Sequence, residues 1–148
     1  MPRTTVLIND HMNAVITHLE SVLDAQPGGK IPVGYGERPK DSKEQFYEPP
    51  YLVVSYLVGG DLDGPLSDTQ ADVSLRLVLI SNGSSAREAT ILRDIAHAEM
   101  QKENFTIANR KVRDVRVEIP SDGTYRDDDV ATPIFYTRQI YLLDTTPA

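Results

Sequence analysis

The side chains in this sequence best suited to chemistry are three histidines and two acidic, turn-rich loops. His11 and His18 stand seven residues apart in one helical stretch, which separates them by about 10 Å at 1.5 Å per residue. Zinc–nitrogen bonds are about 2.0–2.1 Å, so the two cannot share an ion and read as solvent-facing or boundary residues. The first acidic loop carries Asp61-Leu62-Asp63-Gly64, where alternate carboxylates could converge on a hard cation such as calcium. The pattern then fails, with Pro65 at the fifth position and Leu66 at the sixth, where a calcium loop needs glycine. The second loop carries Asp127-Asp128-Asp129, but neighbours on extended chain point to opposite faces. Solvated acidic loops are the favoured reading. A small metal- or ligand-binding domain using Asp61, Asp63, Asp127 and Asp129 stays open as an alternative.

No other catalytic set can be assembled. No Gly-x-Ser-x-Gly elbow occurs, and Gly28-Gly29 and Gly34-x-Gly36 are too short for a dinucleotide or phosphate loop. With zero cysteines there is no thiolate nucleophile, disulfide framework or cysteine metal site, which is compatible with a reducing cytoplasm. The sequence therefore calls for no enzyme and no cofactor.

The elements that carry these residues follow from periodicity. Residues 5–25 place Ile8, Met12, Val15, Leu19, Val22 and Leu23 on one helical stripe, stopped by Gln26-Pro27-Gly28-Gly29. Residues 27–50 read as an extended loop with a short candidate strand at Ile31–Tyr35. Its polar part, Gly36 to Glu44, holds Arg38, Lys40 and Lys43. These three are candidate contact residues, because so long a loop could order on meeting a neighbour. Tyr51–Val58 is a β-prone run. In 70–81, Ala71, Val73, Leu75, Leu77 and Leu79 alternate with a second set that turns apolar toward its end. Asn82-Gly83 predicts a strand break. Ser85 and Glu88 have capping-box spacing at the start of a second helix, 85–103. Val112–Ile119 and Ile134–Leu143 are the remaining strands. The expected fold is α+β: a mostly antiparallel or mixed sheet with two helices packed on one face, in a single domain over 1–148.

Charge narrows the partners. The chain holds 15 basic and 22 acidic residues, a formal −7. Nucleic-acid binding needs clustered cations to displace counterions, and the basic residues here are scattered. The one denser group, Arg110, Lys111, Arg113 and Arg116, reads as a strand edge protected by charge. No run approaches the ~20 apolar residues of a membrane helix. The first residues lack the apolar core of a secretory signal.

Ser67-Asp68-Thr69 precedes the alternating strand, and Tyr125-Arg126-Asp127-Asp128-Asp129 precedes the final aromatic strand. With the two helices in matching order, this pattern resembles the tail terminator proteins of long-tailed bacteriophages, the lambda-type minor tail proteins that cap the tail tube. The likeness is strongest over 51–80 and 121–143, and the 27–50 loop has no counterpart. The resemblance implies a non-enzymatic virion protein at the head-proximal end of the tail, assembled in the host cytoplasm. It further implies a hexameric ring that ends tube polymerisation and offers the surface for head attachment. The implied partners are other copies of itself, the tail tube protein and a head–tail connector or head-completion protein. DNA would pass through the ring without specific binding. Six copies at −7 each carry −42, which would repel phosphate. Head-closure proteins share this general fold, so a head–tail joining role is the alternative. The motif marks Asp68, Arg126, Asp127 and Asp128 as candidate contact or loop-ordering residues.

Overall fold

The computed structural model describes residues 8–57, 72–107 and 109–148. Asp61, Asp63, Asp68 and the rest of the first acidic loop lie outside the described residues. The element order is α1 (Ile8–Asp24), β1 (Val33–Tyr35), β2 (Tyr51–Tyr56), β3 (Val73–Gly83), α2 (Ala86–Gln101), β4 (Arg110–Ile119), β5 (Tyr125–Asp127) and β6 (Ile134–Pro147). The strands form one sheet in the order β1-β2-β3-β6-β4, with β5 pairing only to β6. Every pairing is antiparallel except β1 with β2. This is the α+β architecture expected from the sequence.

Both helices cover the same face of the sheet. In α1 the buried positions Met12, Val15, Ile16, Leu19 and Leu23 recur at helical spacing. They join Leu52 and Val54 of β2, then Leu75, Leu77 and Leu79 of β3, in one buried cluster. Leu92, Ala96 and Met100 of α2 close it from the other side, over Tyr141 and Leu143 of β6. No helix among the described residues is long and apolar enough to cross a membrane.

The structure corrects several boundaries. Asn82-Gly83 does not break β3: Asn82 pairs with Tyr136 and Gly83 with Phe135, so the ladder runs to the strand's last residue. Glycine is required there for another reason. A Cβ on Gly83 would stand 2.5 Å from the Ala89 amide nitrogen and 2.9 Å from Glu88 Cβ, because the first turn of α2 rests on this residue. The capping pair is also only half as expected. Ser85 Oγ accepts from the Glu88 amide at 3.1 Å, but the Glu88 carboxylate accepts from the amide and hydroxyl of Ser84, not from Ser85. β6 continues four residues past Leu143, through polar Asp144, Thr145 and Thr146, because Thr145 finds a buried partner in His11 at 2.9 Å. β4 begins two residues early, at Arg110. Tyr125–Asp127, expected as loop, forms the short strand β5 against β6.

Two substitutions test this packing. Gly83→Ala should cost about 1–3 kcal/mol through the clash with the α2 backbone. Leu77→Ala, at a site with 0% exposure, should cost about 2–5 kcal/mol through the cavity left behind. Urea denaturation reads both, and a Gly83→Ala midpoint equal to wild type would mean that α2 does not rest on β3 as described.

Candidate functional site

Two of the residue groups singled out in the sequence border one row of side chains at one end of the sheet, on the face away from the helices, with Arg126 on the opposite face beside Phe135. The register places Tyr51 of β2 beside Asn82 of β3, Asn82 beside Tyr136 of β6, and Tyr136 beside Tyr125 of β5. Directly paired residues share a face, so these four make a row across four strands. The Tyr125 and Tyr136 rings stack with centroids 5.7 Å apart, and the Tyr125 hydroxyl donates to Asp122 at 2.8 Å. Tyr51 is 5% exposed. Its buried state pushes the phenol above its ordinary pKa, the Arg38 guanidinium opposes this, and the carboxylates of Asp127 and Glu48 add to it.

Arg38 links the long loop to this row. Its guanidinium lies 5.1 Å from the Tyr51 ring centroid and 5.4 Å from that of Phe46, and its Nε donates to the Tyr47 carbonyl at 2.9 Å. Glu48 approaches at 3.7 Å. A cation held over two aromatic faces is an anchoring element, so Arg38 helps to order the loop's own fold. Lys40 stands 5.0 Å over the Phe46 ring, and its backbone bridges to Phe46. At the loop tip the Lys43 side is exposed, while the Lys43 and Gln45 amides donate to the Asp41 carboxylate at 2.8 and 3.0 Å. Arg38, Lys40 and Lys43, the candidate contact residues of this loop, thus stand on a laced turn with Lys43 at its tip.

On the other flank, Arg126 and Asp128 form an ion pair of 2.5 Å, both more than half exposed. The Arg126 guanidinium also covers the Phe135 ring at 5.8 Å. The Asp127 carboxylate accepts from the Asp129 amide at 3.0 Å, closing the turn that follows β5. The three consecutive aspartates thus serve their own hairpin. Among the described residues no three His, Asp or Glu side chains converge as a metal site would require. Asp61, Asp63 and Asp68 lie outside the described residues.

The helix-covered face holds polar groups that the sequence reading did not find. His11, expected at the surface or its boundary, is 1% exposed and hydrogen-bonded to Thr145. His18 pairs with Glu99 at 2.8 Å, and Lys102 reaches the same carboxylate at 3.1 Å. Burial works to raise the Glu99 pKa, but these two hydrogen bonds outweigh it and hold the carboxyl below its ordinary value. Beneath α2, Arg93 donates to the Gln139 amide oxygen at 2.8 Å, and the Gln139 amide nitrogen donates to the Tyr141 hydroxyl at 2.8 Å. His97 Nδ1 lies 2.8 Å from that hydroxyl and 3.0 Å from the same amide nitrogen. Burial pushes the Tyr141 phenol to about 12. The available signal was the alternation Thr137, Gln139, Tyr141 on a strand face that must point at the core.

No family model and no curated protein matches this sequence. The fold has counterparts among solved structures. One is a chain of the structure titled "Virion of native gene transfer agent (GTA) particle", which superposes with a TM-score of 0.59 at 11% identity. The match covers 90% of this chain and 96% of that chain. At that identity the likeness is one of fold.

Burial of His97, with the Arg93 cation beside it, lowers the imidazole pKa from its ordinary 6.5, while Asp94 pulls weakly the other way. The unfolded chain therefore takes up the proton first as pH falls, so stability held above about 6.5 is lost on acidification below it. Melting temperature should decline from pH 7 toward pH 5, and His97→Gln should flatten part of that decline. An unchanged pH profile in the variant would remove His97 as its source.

Proposed function

We propose that this chain is a structural protein of a phage-type virion, and that it caps a tail tube as a homo-oligomeric ring. The observation that carries the reading is the fold shared with the gene transfer agent virion chain, nearly end to end in both. The resemblance of residues 51–80 and 121–143 to tail terminators points the same way and supplies the finer role. In it, a hexamer binds the growing end of the tube, stops polymerisation and presents the surface that meets the head or its connector. The role is non-enzymatic and is exercised at the head-proximal end of the tail.

The geometry supports a contact role for the exposed, β5 end of the row. Tyr125, Arg126 and Asp128 are exposed on a short hairpin, flanked by the 36–50 loop with Phe46 at 55% exposure. Aromatic rings and arginine are the residue types enriched where protein surfaces meet. A cyclic ring needs a heterologous contact, in which one patch meets a different patch on the next copy. The net −7 of each copy keeps the ring from holding DNA that must pass it.

Light scattering after size exclusion, over a wide concentration range and with negative-stain imaging of the peak, should show six-fold rings. Removing the coding sequence from the producing particle should give tails of uncontrolled length. Tails of normal length that fail to meet heads would assign head–tail joining instead. Tails of normal length joined to heads would overturn the proposal altogether.

A further inference from the structure

At the same end of the sheet, on the helix side, lies a cleft of about 530 Å³ between the 26–31 turn that follows α1 and the stretch 85–95 at the start of α2. Its apolar lining comes from Pro27, Ile31, Pro50, Ile91, Leu92 and Ile95. Leu92 is the buried floor, whereas Ile91 is 50% exposed, an apolar side chain on a helix whose stripe is otherwise covered. Two cations, Lys30 and Arg87, stand on the lining with no ion-pair partner among the described residues. The one carboxylate in the lining, Glu88, accepts from the Ser84 amide and hydroxyl, so the lining holds two cations against one carboxylate. The cleft thus asks for a segment that is apolar and acidic at once.

We propose that it receives the acidic loop of a second copy of this chain, Leu62 and Leu66 entering the apolar lining and Asp61 and Asp63 meeting Lys30 and Arg87. The sequence of that loop, Gly59-Gly60-Asp61-Leu62-Asp63-Gly64-Pro65-Leu66-Ser67-Asp68, alternates the two required characters and contains no cation. Chain length decides that the loop comes from another copy. Pro50, in the cleft, is separated from Leu57 by the length of β2, about 20 Å at 3.3 Å per residue. Ser85, also in the cleft, is separated from Asp72 by the length of β3, about 33 Å on the same rise. From Leu57 to Leu62 an extended chain reaches at most about 18 Å, and from Leu66 to Asp72 at most about 21 Å. The loop cannot fill the cleft of its own copy and still rejoin β3. Supplied by a neighbour, it makes one end of a subunit fit the other end of the next.

This inference rests on the self-assembly reading, and its test separates the two. A fluorescein-labelled peptide of residues 58–71 is titrated into the full chain, followed by anisotropy, with folding checked by circular dichroism. Saturable binding is expected, weakened on the order of tenfold by Arg87→Glu in the protein or by changing Asp61 and Asp63 to asparagine in the peptide. Salt should weaken it as well. A peptide carrying lysine at both aspartate positions should recover affinity for the doubly reversed Lys30→Glu, Arg87→Glu chain. Binding indifferent to Arg87→Glu in a folded protein overturns the proposal, as does absence of binding at millimolar peptide. Six-fold rings that persist in the folded Lys30→Glu, Arg87→Glu chain overturn it while leaving the ring reading intact. Peptide binding at the cleft by a chain that forms no rings would support it and count against the ring.

Discussion

The antiparallel pairing of β3 with β6 is the constraint on which the rest of the structure depends. It runs unbroken from Val73 opposite Thr145 to Gly83 opposite Phe135. β6 is also the strand to which β4 and β5 attach, so three of the other five strands are positioned by it. Once that register is set, the inward face of β6 presents Thr137, Gln139, Tyr141, Leu143 and Thr145. Only Leu143 among these is purely apolar. A buried polar group left without a partner costs about 1–3 kcal/mol, so the helices above must bring partners to defined points. His11 on α1 answers Thr145, and Arg93 and His97 on α2 answer Gln139 and Tyr141. Apolar packing holds the helices down, and these hydrogen bonds fix where along the sheet they sit.

The opposite face is organised by charge. Arg76 meets Glu118 through Nε at 3.0 and 2.9 Å, Ser74 donates to Asp144, and Arg116 reaches both Asp114 and Asp144. Asp144 is held below the ordinary carboxylate pKa: burial opposes this, and the bonds from Ser74 and Arg116 outweigh it. Arg116 is half exposed, so solvent screens its pairs with Asp114 and Asp144. They therefore do little for stability, but they keep the β4 side of the sheet polar and its edge charged, which discourages indiscriminate strand addition. At the other end of the same face the pairs give way to the tyrosine row. That row is buried at Tyr51 and Asn82 and opens to solvent at Tyr125.

What was legible in the sequence follows this physics. The helical stripe of α1 and the alternation in β3 were readable because each buries a continuous apolar set, and period alone reveals such a set. The end of β6 was not readable, since Thr145 is interior only because His11 lies above it, a partner 134 positions away. Gly83 looked like a strand break by residue type, yet it is a place where a helix backbone comes too close for any side chain. Local chemistry cannot distinguish those two uses of glycine. Among the site residues, Arg126, Asp127 and Asp128 could be placed together because they are consecutive. The meeting of Arg38 with Tyr51 depends on how the 36–50 loop folds back on β2, and the alignment of Tyr51 with Tyr125 required knowing that β6 lies beside β3 and carries β5. Cation–π contacts of this kind leave no periodic trace.

The direction of the strands gives the subunit two unlike ends. β2 leaves the cleft end at Tyr51 and β3 returns to it at Gly83, so β2 ends and β3 begins at the far end. The tyrosine row on one face and the apolar cleft on the other both sit at the near end. A protein with like ends would favour a two-fold, isologous dimer, because one self-complementary patch suffices for it. Unlike ends that fit one another favour repetition by rotation, which closes into a ring or continues as a filament. Closure then depends on the angle at which one subunit meets the next.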